Sequence, residues 1–279
     1  MKEYLDLVRL VLEQGSRKPS RTGVDTISYF GAHYRVDLAK GYPLLTTKEV
    51  VVKSMLHELL WYLTGEDHIR NLRQKTRIWD AWADEQGNLD SPYGYFWRKI
   101  PSAKRQADGS WQVREFDQIR HVIDTLKREP TSRRLVVSAW EPGNASKSRI
   151  PPCHYTYAFN VQGGKLSCHL TQRSGDVALG IPFNLACYAT LTQMIAQETS
   201  LGLGWFSHTI VDAHIYTAKA DGSMAEYDHV PGLREQLKRE PRPLPRLEIA
   251  KKPFDQLAFE DFRITGYAPH PKIAFKVAV

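Results

Sequence analysis

The stretch His154–Arg173, HYTYAFNVQGGKLSCHLTQR, decides the fold. Residues 154–162 and 165–173 are two β-like runs, and Gly163-Gly164 stands between them. A glycine pair in that place suits a tight two-residue turn, so the stretch reads as a β-hairpin. If Gln162 pairs with Lys165, His154 lies opposite Arg173 at the open end. Cys153, just outside Pro151-Pro152, then comes near Arg173 and Ser174. A slip of one residue in register would undo that placement.

Further β-like alternation lies at 25–38, 133–140 and 205–216. Residues 3–14 carry Leu5, Val8, Val11 and Leu12 at helical spacing. A second helix is expected over 51–63, with Gly65 as its stop. Two polar, glycine-containing segments, 101–113 and 218–232, read as surface loops or insertions, because patterned segments flank both. No internal repeat or low-complexity tract interrupts the chain. The expected class is α/β (α+β), as one domain over residues 1–279.

A hydrophobic fraction of 42% with 25% charged residues excludes disordered and fibrous classes. Mean hydropathy is −0.43, and no apolar run approaches the ~18 residues of a membrane helix. Charge interrupts the apolar residues of Met1-Lys2-Glu3-Tyr4-Leu5-Asp6, which is unlike a signal peptide. Three cysteines, Cys153, Cys168 and Cys187, have neither even number nor Cys-x-x-Cys spacing, which points to a reducing cytoplasm. The net charge of +7 favours anionic partners. Its lysines and arginines are scattered singly or in pairs, which favours small anionic ligands over nucleic acid. RNA binding is compatible with this charge but is not predicted.

Cys153 is the best candidate nucleophile, since a nearby guanidinium lowers a thiol pKa and offers an anion site. Cys168 and Cys187 fit buried structural roles. His154 is poorly placed as a base for Cys153, because adjacent strand residues point to opposite faces. Glu58 shares its helix face with Val51, Met55, Trp61 and Tyr62, so burial should raise its pKa toward acid/base use unless a surface cation pairs with it. Asp212, His214 and Tyr216 alternate along a strand and would form either a hydrogen-bonding wall or a solvated face. Asn184 reads as a helix N-cap or as a reader of an amide edge. Trp79 and Trp82 read as core or as a platform for a flat ring.

Together these residues sit in ordered motifs: Ser20-Arg21-Thr22-Gly23, His57-Glu58-Leu59-Leu60-Trp61, Ile78–Asp84 (IWDAWAD), Ser132-Arg133-Arg134 and Pro152-Cys153-His154. Gln172-Arg173-Ser174-Gly175-Asp176, Gly180-Ile181-Pro182-Phe183-Asn184, Asp212–Tyr216 (DAHIY) and Arg239–Pro243 (REPRP) follow. The series resembles the folate-dependent thymidylate synthase family almost end to end, interrupted mainly at the two loops. That resemblance implies a large mixed, mostly antiparallel sheet packed with helices, and homodimers packed sheet against sheet.

The resemblance also implies reductive methylation of deoxyuridine monophosphate (dUMP) to dTMP. The cosubstrate would be 5,10-methylenetetrahydrofolate, the second product dihydrofolate, with no metal, flavin or nicotinamide. By the same resemblance, Cys153 adds to carbon 6 of uracil, Glu58 is the general acid/base, and Arg173 and Asp176 complete the catalytic set. Arg21, Arg173 and Ser174 match phosphate ligands, and Arg133 and Arg134 match arginines supplied by the partner subunit. Asn184 matches the reader of the uracil edge, and His214 and Tyr216 match contacts to the sugar hydroxyl. Trp79, Trp82, Asp176, Leu179, Gly180 and Phe183 would line the folate pocket, with Val277, Ala278 and Val279 in a C-terminal flap. The chain departs from the family pattern at Thr217-Ala218-Lys219, where polar-Asn-His is usual. Two rivals stand beside this expectation: a pyrimidine-nucleotide hydroxymethylase, and a non-catalytic homologue that binds nucleotides or nucleic acid.

Overall fold

The structure, a computed structural model, describes residues 1–90 and 92–278. Val279, assigned to the flap by resemblance, lies outside the described residues. Helix α1 (Lys2–Gln14) leads into the short strand β1 (Ser16–Pro19) and the long strand β2 (Asp25–Asp37). Three helices follow: α2 (Val52–Thr64), the one-turn α3 (Arg70–Arg73) and α4 (Tyr93–Lys99). Next come the hairpin β3 (Ile100–Arg105) and β4 (Trp111–Phe116), then α5 (Gln118–Arg128). The strand β5 (Val136–Ser138), α6 (Pro142–Ala145), and the hairpin β6 (His154–Gln162) and β7 (Lys165–Asp176) lead to α7 (Gly180–Glu198) and β8 (Gly202–Thr217). The chain ends with α8 (Val230–Leu237) and the pair β9 (Arg246–Ile249) and β10 (Phe262–Thr265).

The main sheet has the order β1-β2-β8-β7-β6-β5. Its pairs are antiparallel except β7–β8, so it is mixed and mostly antiparallel, as expected. A parallel pair needs a crossover, and here α7 supplies it. Ile181, Leu185, Tyr188, Leu191 and Ile195 of α7 are fully buried, as a helix that is apolar nearly all round must be. Helix α1 buries Tyr4, Leu5, Leu7, Val8 and Val11. Helix α2 ends at Gly65, whose φ of +71° is the left-handed conformation that glycine adopts cheaply at a helix end. Among the described residues no helix is long and apolar enough to cross a membrane.

One sheet face is left partly bare. Phe206, His208 and Ile210 point inward on β8, while Trp205, Ser207, Thr209 and Val211 alternate with them on the other side. Trp205 and Val211 remain exposed, as do Phe30 on β2 and Val136 on β5.

Three expectations need correction here. The segment 101–113 is a hairpin, not a loop, and all of it but the half-buried Gln106 lies exposed. The 133–140 strand shrinks to Val136–Ser138 because only those residues find a ladder partner, on β6. The third correction bears on the site. Gln162 pairs with Lys165 as expected, and Gly163 and Gly164 have φ of +55° and +71°. A bulge between His154 and Thr156 then adds one residue to β6, so His154 faces Gln172 and not Arg173. The Arg173 amide instead donates to the Cys153 carbonyl at 2.8 Å, which makes the cysteine the direct neighbour of the arginine.

Candidate active site

Strands β7 and β8 end side by side, with Ser174 paired to Asp212 and Asp176 to His214. The N-terminus of α7 begins four residues after Asp176, so carboxyl strand ends and a positive helix end converge. Cys153 sits at this place with its backbone N–H donating to the Tyr93 hydroxyl at 2.7 Å. Arg173 Nη2 lies 3.4 Å from the Cys153 sulfur. The same guanidinium is anchored by the carbonyls of Pro152 (Nε, 3.0 Å) and Pro151 (Nη2, 2.6 Å). Burial pushes the Cys153 thiol up, and the opposing pull of Arg173, Tyr93 and Arg21 does not cancel it. The expectation of a lowered thiol pKa is therefore corrected: desolvation outweighs the guanidinium.

Glu58 projects from α2 and accepts a 2.6 Å hydrogen bond from Trp79 Nε1. Burial pushes its carboxyl up to about 7, against hydrogen bonds from Trp79 and from Tyr62 one turn further along α2. No surface cation pairs with it among the described residues. Trp79 is buried and meets Trp82 edge to face at 5.7 Å, so the pair is not a flat platform. Tyr62 packs on Tyr93, and Tyr93 stacks on the His154 ring at 3.8 Å, which links Glu58 to Cys153 through aromatic contacts. Burial pushes His154 down to about 3. Its Nδ1 is paired with the Tyr188 hydroxyl at 2.8 Å, a structural role.

Asn184 is not an N-cap, because α7 already starts at Gly180 and places it in the second turn. Its orientation is set by a buried relay. Tyr34 hydroxyl meets His208 Nδ1 at 2.9 Å, and His208 Nε2 meets Gln172 Oε1 at 3.0 Å. Gln172 Nε2 donates to Asn184 Oδ1 at 3.1 Å and to the Ser174 carbonyl at 2.9 Å. Since Gln172 Oε1 can only accept, His208 carries its proton on Nε2 and accepts from Tyr34 on Nδ1. Each donor then has one acceptor, and the Asn184 Nδ2 donor is left facing away from Gln172.

Asp212 receives hydrogen bonds from Lys18 (2.5 Å) and Ser28 (2.7 Å). His214 and Tyr216 meet edge to face at 5.2 Å on the same strand face. Asp176 Oδ1 accepts from the Ala178 N–H at 2.8 Å and lies 3.8 Å from His229 Nδ1. Burial opposes ionisation of Asp176, but the nearby imidazoles of His229 and His214 and the Ala178 N–H hold it below the ordinary value.

The family model described as thymidylate synthase matches residues 2–279. The chain belongs to the thymidylate synthase family. A thymidylate synthase of Haloferax volcanii is 48% identical over 327 aligned residues, spanning 98% of this chain and 95% of that protein.

Within this family member the structure gathers Cys153, Arg173, Ser174, Asp176, Asn184, His214, Tyr216, Glu58 and Trp79 around the ends of β7 and β8. Arg21 is exposed, but its charge reaches both Cys153 and Tyr216. Leu179, Gly180 and Phe183 flank the start of α7, partly covered. Arg133 and Arg134 are exposed, and no ion pair among the described residues joins them to this cluster. Among the described residues no group of three His, Cys, Asp or Glu side chains could hold a metal ion.

Sequence reading gave no role to Tyr93, Gln172, Lys48 and His229. Gln172 carried a usable signal, as a polar residue in register with Leu170 and Cys168 on a core face, which is costly unless paired. Lys48 is buried with Nζ 2.5 Å from the Ala178 carbonyl, and burial lowers its pKa to about 8 against the charge of Asp176. His229 lies beside the end of β8. Its backbone N–H donates to the Tyr216 carbonyl at 3.0 Å, so residues 218–228 form an excursion closed at its base.

Proposed function

We propose that this chain, as a single catalytic domain over 1–279, converts dUMP to dTMP with 5,10-methylenetetrahydrofolate as carbon and hydride donor. The observation that carries this reading is the Cys153 sulfur 3.4 Å from Arg173 Nη2, joined through Tyr93 and Tyr62 to a Glu58 carboxyl that burial pushes up to about 7. Cys153 adds to carbon 6 of the uracil ring, so that carbon 5 becomes an enolate carbon able to attack the folate methylene. Burial raises the pKa of the resting thiol, so its proton passes to water as the carbon–sulfur bond forms and is regained when Cys153 departs. Glu58 can both give and take a proton near neutral pH, as protonation of the pyrimidine carbonyl and later loss of the carbon 5 proton require. Loss of that proton expels the tetrahydrofolate amine and leaves an exocyclic methylene, which takes hydride from the folate while Cys153 departs.

Arg21, Arg173 and Ser174 would hold the phosphate, and His214 and Tyr216 the sugar hydroxyl. Asn184 would donate from Nδ2 to a uracil carbonyl and accept the ring N–H on the free lone pair of Oδ1. Cytosine presents an amine where that carbonyl stands, so it would meet donor against donor. Trp79, Trp82, Asp176, Leu179, Gly180, Phe183 and Ala278 would line the folate site.

We place the active form as a homodimer. The bare sheet face with Trp205, Val211 and Phe30 suits a second subunit, and the exposed Arg133 and Arg134 suit reaching a partner's phosphate site. Three free cysteines suit the cytoplasm. The test is dihydrofolate formation followed by absorbance with dUMP, with dCMP, and with Cys153→Ser. The reading expects product with dUMP alone and none from the variant. Equal turnover of dCMP, or an active serine variant, overturns it.

A further inference from the structure

The excursion 218–228 has no role in the chemistry above, yet it touches the C-terminal segment. Lys276 Nζ lies 4.2 Å from the centre of the Tyr227 ring and 3.4 Å from Glu226 Oε1. His229, at the base of the excursion, is buried and donates from Nε2 to the Lys276 carbonyl at 2.9 Å. Its ring packs on Phe275 at 4.9 Å, and the other face of this junction is Lys48, whose Nζ stands 4.6 Å from the Phe275 ring. Both His229 and Lys48 reach the head of α7: His229 Nδ1 lies 3.8 Å from Asp176, and Lys48 bonds the Ala178 carbonyl. Gly232 lets the C-terminal segment come this close, since a Cβ there would lie 2.6 Å from Phe275. Beyond Lys276 the apolar Val277 is exposed, while Phe275 and Lys276 carry the contacts to His229, Glu226 and Tyr227.

We propose that the excursion is a clamp, in which Glu226 and Tyr227 grip Lys276 and hold residues 275–278 across the mouth of the site beside Asp176. Glu226 and Tyr227 are then positioning residues for the reaction, acting through the C-terminal segment. The consequence for catalysis rests on the reading of that mouth as the folate site. Cation–π and ion-pair contacts at exposed positions are individually weak, so the clamp biases a closing equilibrium and does not lock it.

The experiment uses the full chain with Glu226→Gln and Tyr227→Ala together, and separately Lys276→Met. Three quantities are read: the rate at which carboxypeptidase trims the C-terminus, KM for methylenetetrahydrofolate, and the dissociation constant for dUMP. Loss of the clamp should speed trimming roughly three- to tenfold and raise the folate KM by a similar factor. Affinity for dUMP should stay within about twofold, because the nucleotide contacts lie elsewhere. Adding Lys276→Met to the loop variant should give no further change, since both remove one contact. Unchanged trimming in the loop variant overturns the clamp, and so does full additivity. Faster trimming with an unmoved folate KM upholds the clamp and overturns the folate reading of the mouth.

Discussion

Replacing Glu58 with glutamine isolates the cost of ionising a carboxyl in the site. The ordinary glutamate value of 4.5 applies to the unfolded chain, and burial moves it to about 7 in the fold. The folded protein therefore holds this proton more tightly than the unfolded chain does. Stability from this source is full below about pH 4.5 and is lost as pH rises through about 7. A separation of about 2.5 pH units corresponds to about 3 kcal/mol, of which about 2–3 kcal/mol falls between about pH 5 and about pH 8.5. Glutamine keeps the shape and can accept from Trp79 Nε1, but it does not titrate. Urea unfolding of both proteins at those two pH values should show the variant gaining about 2–3 kcal/mol on the parent at the alkaline end. Turnover of the same variant should fall by at least about a hundredfold. A stability difference that does not change with pH would refute the desolvated carboxyl, and with it the argument for Glu58 as an acid/base group.

Four further outcomes follow from the site. Cys153→Ser should abolish turnover while dUMP binding, measured by calorimetry, persists; loss of binding would point to a structural role for the thiol. Tyr62→Phe removes one of the two donors that favour ionised Glu58, so the pH profile of kcat should move up by about half to one unit, and an unmoved profile contradicts the contact. His208→Phe breaks the relay to Gln172 and Asn184, which should cost about 1–3 kcal/mol and narrow the preference for dUMP over dCMP. Unchanged discrimination would mean that the Ser174 carbonyl alone holds Gln172. Charged replacements at Trp205 and Val211 should yield a species of monomer mass in light scattering, and an intact dimer would move the interface elsewhere.

The hairpin was legible because Gly163-Gly164 announces its own turn, and alternation of Leu166, Cys168 and Leu170 announces its buried face. What was not legible was the bulge at the open end, since an extra residue at Tyr155 leaves no mark in the alternation. That bulge is what brings Cys153 and not His154 to Arg173. Asn184 misled as a cap because the apolar pattern of α7 is strongest after it, while the helix starts at Gly180 under the Asp176 carboxylate. The tuning of Cys153 was half legible: sequence supplied the guanidinium, but only packing reveals the desolvation that exceeds it. His229 could not be placed from sequence, because a surface excursion returns it to Tyr216 and nothing local records the return.

The most direct test is the mass of the nucleotide produced from dUMP and 5,10-methylenetetrahydrofolate. Both methylation and hydroxymethylation pass through the exocyclic methylene, and they differ only in whether hydride or water reaches it. With Trp79 packed beside Glu58 and the C-terminal segment held at Lys276, water should be kept out and dTMP should be the main product. Release of 5-hydroxymethyl-deoxyuridylate as the main product would contradict the account.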